Sequence, residues 1–85
     1  MSEKKKVGEV THYFSRISVA VLDLSKPLRV GDSVSIAGEI TDLQQTVTSM
    51  QVDHEDVEEG QPGREVAMKV DRRVRPGDVV YRLEE

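Results

Sequence analysis

Short apolar runs rich in β-branched residues alternate with turns built on Gly, Pro and Asp along the whole chain. Val7–Phe14 reads as a first strand. Ser18–Leu24 reads as a second, with Val19 and Val21 on one face and Ala20, Leu22 and Leu24 on the other. A strand that is apolar on both faces is predicted to be central, or covered on both sides. Ser25-Lys26-Pro27 ends it, and Leu28-Arg29-Val30-Gly31-Asp32 turns into a third strand, Ser33–Gly38. There the alternation is clean: Val34 and Ile36 are expected inward, Ser33 and Ser35 toward solvent. After a turn over Gly38–Asp42, Leu43–Val52 reads as one long strand. Its apolar phase changes between Val47 and the pair Met50 and Val52, which predicts a bend near Thr48-Ser49. Glu65–Val70 follows, with Val66, Met68 and Val70 inward and Glu65, Ala67 and Lys69 outward, and Val79–Leu83 is the last strand. Asp53–Gly60 has no apolar stripe and reads as a loop; no segment has the period of a helix.

Two near-copies of one turn cassette punctuate this pattern, Arg29-Val30-Gly31-Asp32-Ser33-Val34 and Arg75-Pro76-Gly77-Asp78-Val79-Val80. Each sets a Gly-Asp turn before a strand, the same turn problem solved twice rather than a domain repeat. A third turn, Gly60-Gln61-Pro62-Gly63, precedes Glu65–Val70. The expected fold is all-β: a small closed β-barrel of six or more strands. In a chain of 85 residues this leaves room for one domain, residues 7–85, after a flexible basic tail, residues 1–6, that holds Lys4–Lys6. The chain has no cysteine, which suits a reducing compartment, and its start lacks the apolar stretch of a signal peptide. No apolar run reaches the ~20 residues of a membrane helix. A cytoplasmic location without membrane contact is therefore expected.

The formal net charge of −4 argues against coating nucleic acid by charge alone, but the charges are segregated. Asp53, Glu55, Asp56, Glu58 and Glu59 form an acidic stretch; Arg64, Lys69, Arg72, Arg73 and Arg75 form a basic one. Such runs are either solvated loops or contact surfaces. Hydrolytic chemistry needs a nucleophile held by a base, or a paired acid and base. The chain has no cysteine, no Gly-x-Ser-x-Gly elbow and no phosphate-cradling Gly-Lys-Ser/Thr, so it is not expected to be an enzyme. His54 among carboxylates could ligate a metal, but no ligand spacing recurs, and no metal or other cofactor is expected. Tyr13-Phe14 followed by Arg16 leaves one aromatic near a guanidinium, which is either a barrel-end plug with a rim tyrosine or a surface that stacks on a base.

From Leu28 onward the chain resembles domain II of the translational GTPases, the β-barrel that follows the G domain in elongation factor Tu and initiation factor two. Leu28-Arg29-Val30-Gly31-Asp32 is similar to their Leu-x-Val-Gly-Asp/Glu turn. Thr46-Val47-Thr48-Ser49-Met50-Gln51 is similar to their Thr-Val-Thr-Gly-Val-Glu strand, and Glu58–Ala67 to their Asp-Glu-Gly-x-Ala-Gly-x-Asn-Val-Gly segment. Val10–Phe14 and Ser49–Val52 look more like a stand-alone translation elongation factor-like barrel and the C-terminal barrel of U32-family peptidases and their tRNA-modifying relatives. The resemblance implies a translation-protein barrel with no GTP binding, because the motifs of a G domain are absent. Where elongation factor Tu holds the aminoacyl end of tRNA, this chain has Gln51, Asp53 and Glu65, and the two carboxylates repel phosphates.

Two functions follow as expectations. The first is a non-catalytic module contacting tRNA or ribosomal RNA through Lys69, Arg72, Arg73 and Arg75 with Tyr13 and Arg16, whose binding would fall steeply with salt. The alternative is a protein-docking accessory subunit of a U32-peptidase-like or tRNA-modifying enzyme. That subunit would make contact through Tyr13 or Phe14, Met50 and Val52.

Overall fold

A computed structural model describes residues 3–84. They form ten strands: β1 (Glu3–Phe14), β2 (Val19–Leu24), β3 (Leu28–Arg29), β4 (Ser33–Ala37), β5 (Asp42–Thr46), β6 (Met50–Val52), β7 (Glu55–Val57), β8 (Glu59–Gly60), β9 (Glu65–Lys69) and β10 (Val79–Glu84). Among the described residues there is no helix, and so none that could cross a membrane. Eight strands make one antiparallel sheet in the order β5-β4-β10-β1-β2-β9-β6-β7, and β3 pairs with β8 apart from it. The alternation read from the sequence selects the concave face. Ala20, Leu22 and Leu24, Val34 and Ile36, Val66 and Met68 are all buried there.

The first strand is longer than the sequence suggests. Lys4, Lys5 and Lys6, expected in a tail, pair with Leu83, Arg82 and Tyr81 of β10, and the Lys4 ammonium sits 5.8 Å from the centre of the Tyr81 ring. Lysine is a poor strand former in isolation; here a neighbouring strand and a cation–π contact hold it. The register of β1 shifts between Lys6 and Gly8 against β10, and between Val10 and His12 against β2. Bulges of this kind sharpen twist and bend a strand, so β1 can serve two neighbours while the sheet rolls.

The rolled sheet is not closed by a backbone ladder, which corrects the closed barrel expected from the sequence. β5 and β7 are its two ends. The chain leaves the sheet after Thr46, so the long strand expected over Leu43–Val52 is two strands broken where its phase changes. Beyond β5 the Gln45 side chain reaches the end of β9. The Gln45 amide Nε2 donates to the Lys69 carbonyl at 2.9 Å, and its Oε1 accepts from the Asp71 N–H at 2.8 Å. A side-chain amide thus stands where a ladder would place a backbone one. Gln45→Ala is expected to cost about 1–2 kcal/mol, two hydrogen bonds at exposed positions. A fall in urea midpoint with unchanged slope would show it; an unchanged midpoint would mean that the seam bears no load.

Two further expectations are corrected. Asp53–Gly60 is not simply loop: Asp53 and His54, both at positive φ (52° and 65°), form the tip of a tight hairpin joining β6 to β7. Asp and His tolerate that conformation better than most residues, and a hairpin fixed by its turn needs no apolar stripe. Ser35, expected toward solvent, is fully buried, and its hydroxyl has no hydrogen-bond partner among the described residues. It lies in register between Tyr81 and Gln44, whose larger side chains flank it on the outer face.

The duplicated cassette is one bonding unit used twice. In each copy the Asp N–H donates to the Arg carbonyl at 3.1 Å, and the Arg N–H donates to the Asp carboxylate, at 3.0 Å for Asp32 and 2.8 Å for Asp78. Gly31 and Gly77 take φ of 98° and 94°, as the third position of a type II turn demands. Each turn then grips a buried valine. Gly31 N–H and Asp32 carbonyl bond Val47; Gly77 N–H and Asp78 carbonyl bond Val10. The copies differ in burial, since Asp78 is 6% exposed and packs over Gly38, leaving no space there for a Cβ. Gly38→Ala is therefore expected to cost about 1–3 kcal/mol through overpacking. In an Asp78→Ala background most of that cost should vanish. Strictly additive losses in urea melts of the four chains would rule the contact out.

Candidate functional site

The convex face of β1, β2, β9 and β6 carries an apolar strip. Phe14 stands opposite Val19, and Val19 opposite Lys69; His12 stands opposite Val21, Val21 opposite Ala67, and Ala67 opposite Gln51. Phe14, Val19, Val21 and Ala67 line one concavity with Ile17, the last contributed by the turn between β1 and β2. Phe14 is 51% exposed and Ile17 57%. The Phe14 ring stacks beside His12, with centroids 6.5 Å apart. Local bonds hold Ile17 outward. Its N–H reaches the Phe14 carbonyl at 3.4 Å, its carbonyl accepts from Lys69 Nζ at 3.1 Å, and the Ser18 carbonyl accepts from Val70 N–H at 2.9 Å. A single exposed apolar residue needs no explanation, whereas a pinned and contiguous set marks a contact surface. Gln51, Asp53, His54 and Glu65 border the strip at its far end.

Beside Phe14, on the other flank of β1, lies a cationic notch. His12, Tyr13 and Phe14 form one wall, and Arg73, Val74, Arg75 and Pro76 the other. The second cassette holds this wall in place through its bonds to Val10. Val74 is buried beneath it, so Arg73 and Arg75 point away from the core on either side of an anchored residue. Among the described residues, no carboxylate forms an ion pair with either guanidinium.

Of the residues singled out by sequence, Tyr13, Arg73 and Arg75 are brought together in this notch. Tyr13 is half-buried and packs on the core. Lys69 is turned to the Ile17 carbonyl across the apolar strip, Arg16 sits in the exposed turn after β1, and Arg72 is exposed in the segment after β9. Met50, expected at a docking surface, is 1% exposed and belongs to the core, because the break before β6 turns it inward. Val52 is half-buried and lines a separate groove with Asp53, Glu55, Val57, Glu59, Gln61 and Arg64. Gln51 donates to the Asp56 carboxylate at 2.9 Å. Among the described residues, no group of three or more His, Cys, Asp or Glu side chains is placed to hold a metal ion. Ile17, Val19, Val21 and Ala67 were not singled out as site residues, although the two-faced apolar pattern of β2 was their signal.

No family model matches the chain. Over 83 residues, 96% of its length, it is 39% identical to an uncharacterized protease of Methanocaldococcus jannaschii, of which it spans 20%. Over 84 residues it is 33% identical to a collagenase of Porphyromonas gingivalis, of which it spans 23%. The chain thus spans about a fifth of the length of these curated relatives. Among solved structures, the C-terminal domain of a U32 peptidase of Geobacillus thermoleovorans superposes with a TM-score of 0.86 over 95% of this chain and 93% of that one. Its selenomethionine variant gives 0.84 over 89% and 96%. At 23% identity the likeness establishes the fold: an all-β domain of the kind found at the C-terminus of that peptidase.

Proposed function

We propose that this chain is a non-catalytic protein-docking domain that serves a U32-peptidase-like or tRNA-modifying catalytic unit, in the cytoplasm. The observation that carries the reading is the uncovered strip of Phe14, Ile17, Val19, Val21 and Ala67. It lies on a fold whose solved counterpart is one domain of a larger peptidase. A strand apolar on both faces needs a cover on both; β2 has its core on one side, and on the other a docked protein would supply what the chain lacks. The finer fold reading, an unclosed variant of the translation-factor barrel, rests on the turn and strand motifs of Leu28–Asp32 and Thr46–Gln51.

The test is capture of partners by the tagged chain from matched extracts with and without ribonuclease treatment. A peptidase-type or tRNA-modifying protein held in stoichiometric amount is the expected result. Recovery of nucleic acid alone, lost on ribonuclease treatment, would contradict it.

RNA contact takes second place. Arg73 and Arg75 beside Tyr13 favour it, but Lys69 is engaged elsewhere and the adjoining surface is apolar with an acidic far border. Fluorescence anisotropy with tRNA would restore it if binding were micromolar and fell steeply with salt.

A further inference from the structure

The apolar strip and the cationic notch share Phe14, and this continuity says what kind of segment docks there. Resting on the docking reading above, we infer that the occupant is a peptide segment of the partner whose carboxylate-bearing end enters the notch between Tyr13, Arg73 and Arg75, while its adjoining apolar side chains lie across Phe14, Val21 and Ala67. Three facts fix that polarity. Arg73 and Arg75 flank the buried Val74 on a segment held by the second cassette, so two cations are presented from a fixed backbone. Arginine suits this role, because its planar fork binds a carboxylate through two parallel hydrogen bonds. At the opposite end the strip is bordered by Glu65 and Asp53, which repel a second acidic group. The charge along the face therefore runs from positive at β1 to negative at the β6 end.

The size of the occupant follows from strand spacing. From Phe14 on β1 to Gln51 on β6 the face crosses three strand gaps, about 14 Å at the usual separation. That is the length of four or five extended residues, at about 3.3 Å each. A phosphodiester strand would meet the same two arginines and then run over apolar surface, past a Lys69 ammonium already bonded to the Ile17 carbonyl, toward carboxylates that repel it. The face suits an acidic-apolar peptide better than RNA.

The experiment is an amide chemical-shift titration of the isotope-labelled chain with acetyl-Glu-Glu-Leu-Val-Leu-amide, acetyl-Lys-Lys-Leu-Val-Leu-amide and oligouridylate. The Glu peptide is expected to move the amides of His12–Phe14 and Arg73–Arg75 together with those of Val19, Val21 and Ala67. It should bind about fivefold or more tighter than the Lys peptide, the worth of about one exposed ion pair. In the Arg73→Glu, Arg75→Glu variant, checked for an unchanged spectrum elsewhere, that preference should reverse. Equal binding of both peptides to the strip, with the notch unmoved, would overturn the inferred polarity while leaving the docking face standing. No binding of the Glu peptide would overturn the inference outright. Shifts at the notch with oligouridylate and not with the Glu peptide would assign the notch to phosphate instead. Docking itself is judged separately, by the capture experiment.

Discussion

Val66→Asp is expected to leave the chain without a cooperative folded state. Val66 is fully buried on β9, opposite Leu22 of β2, and a Cβ at Gly60 would come within 3.0 Å of its side chain. Among the described residues, no cation is buried in that core. A single domain of this length has a total stability of roughly 4–13 kcal/mol. An unpaired buried carboxylate removes several kcal/mol even after relaxation, or forces the group to hold a proton at neutral pH. The position makes matters worse, because β9 is the strand through which β6 and β7 join the rest of the sheet. Far-UV circular dichroism and a thermal scan would show a disordered chain with no transition. The neighbouring change Ala67→Asp, on the convex face, should melt within a few degrees of wild type. A normal transition for Val66→Asp with none for Ala67→Asp would mean that the two faces of β9 have been exchanged.

Much of this framework was legible because it follows from period and turn chemistry. Val34 and Ile36 alternate with polar neighbours, Val66 and Met68 likewise, and Gly31 and Gly77 sit where a type II turn requires positive φ. What escaped depends on distant partners. Lys4–Lys6 look like a tail until β10 is placed beside them. The carboxamide of Gln45 cannot be told from that of any surface glutamine until the sheet rolls far enough to bring Lys69 and Asp71 to it. Strand closure, the part of the barrel expectation that the fold corrects, is a property of that roll and not of any local pattern. The hairpin at Asp53-His54 lacked the Asn-Gly signature that would have announced it.

The site was half legible for the same reason. Tyr13, Arg73 and Arg75 were singled out by residue type and do share a notch. Lys69 was grouped with them by charge, yet its side chain closes the turn that presents Ile17. The strip itself was visible only as an oddity, the apolar pair Val19 and Val21 on the wrong side of a strand that already had a core-facing set. Periodicity alone makes such a strand central, as β2 is; only the fold shows that its second side is left uncovered by the described residues.

Phe14→Glu combined with Val21→Glu is expected to abolish docking while leaving the fold intact. Phe14 is 51% exposed, and Val21, though half-buried, lies on the face of β2 away from the core, so neither carboxylate is forced into the core. Each would instead be desolvated against an apolar partner surface. Truncating an anchor at the centre of an interface costs 2 kcal/mol or more, and a buried unpaired charge adds to that. The double variant should therefore bind at least about 100-fold more weakly. The direct measurement is calorimetric titration of the chain into its co-purified partner, wild type against this variant, with circular dichroism confirming that both are folded. A dissociation constant raised at least about 100-fold is the predicted result; an unchanged constant for a folded variant would contradict the docking face and the function built on it.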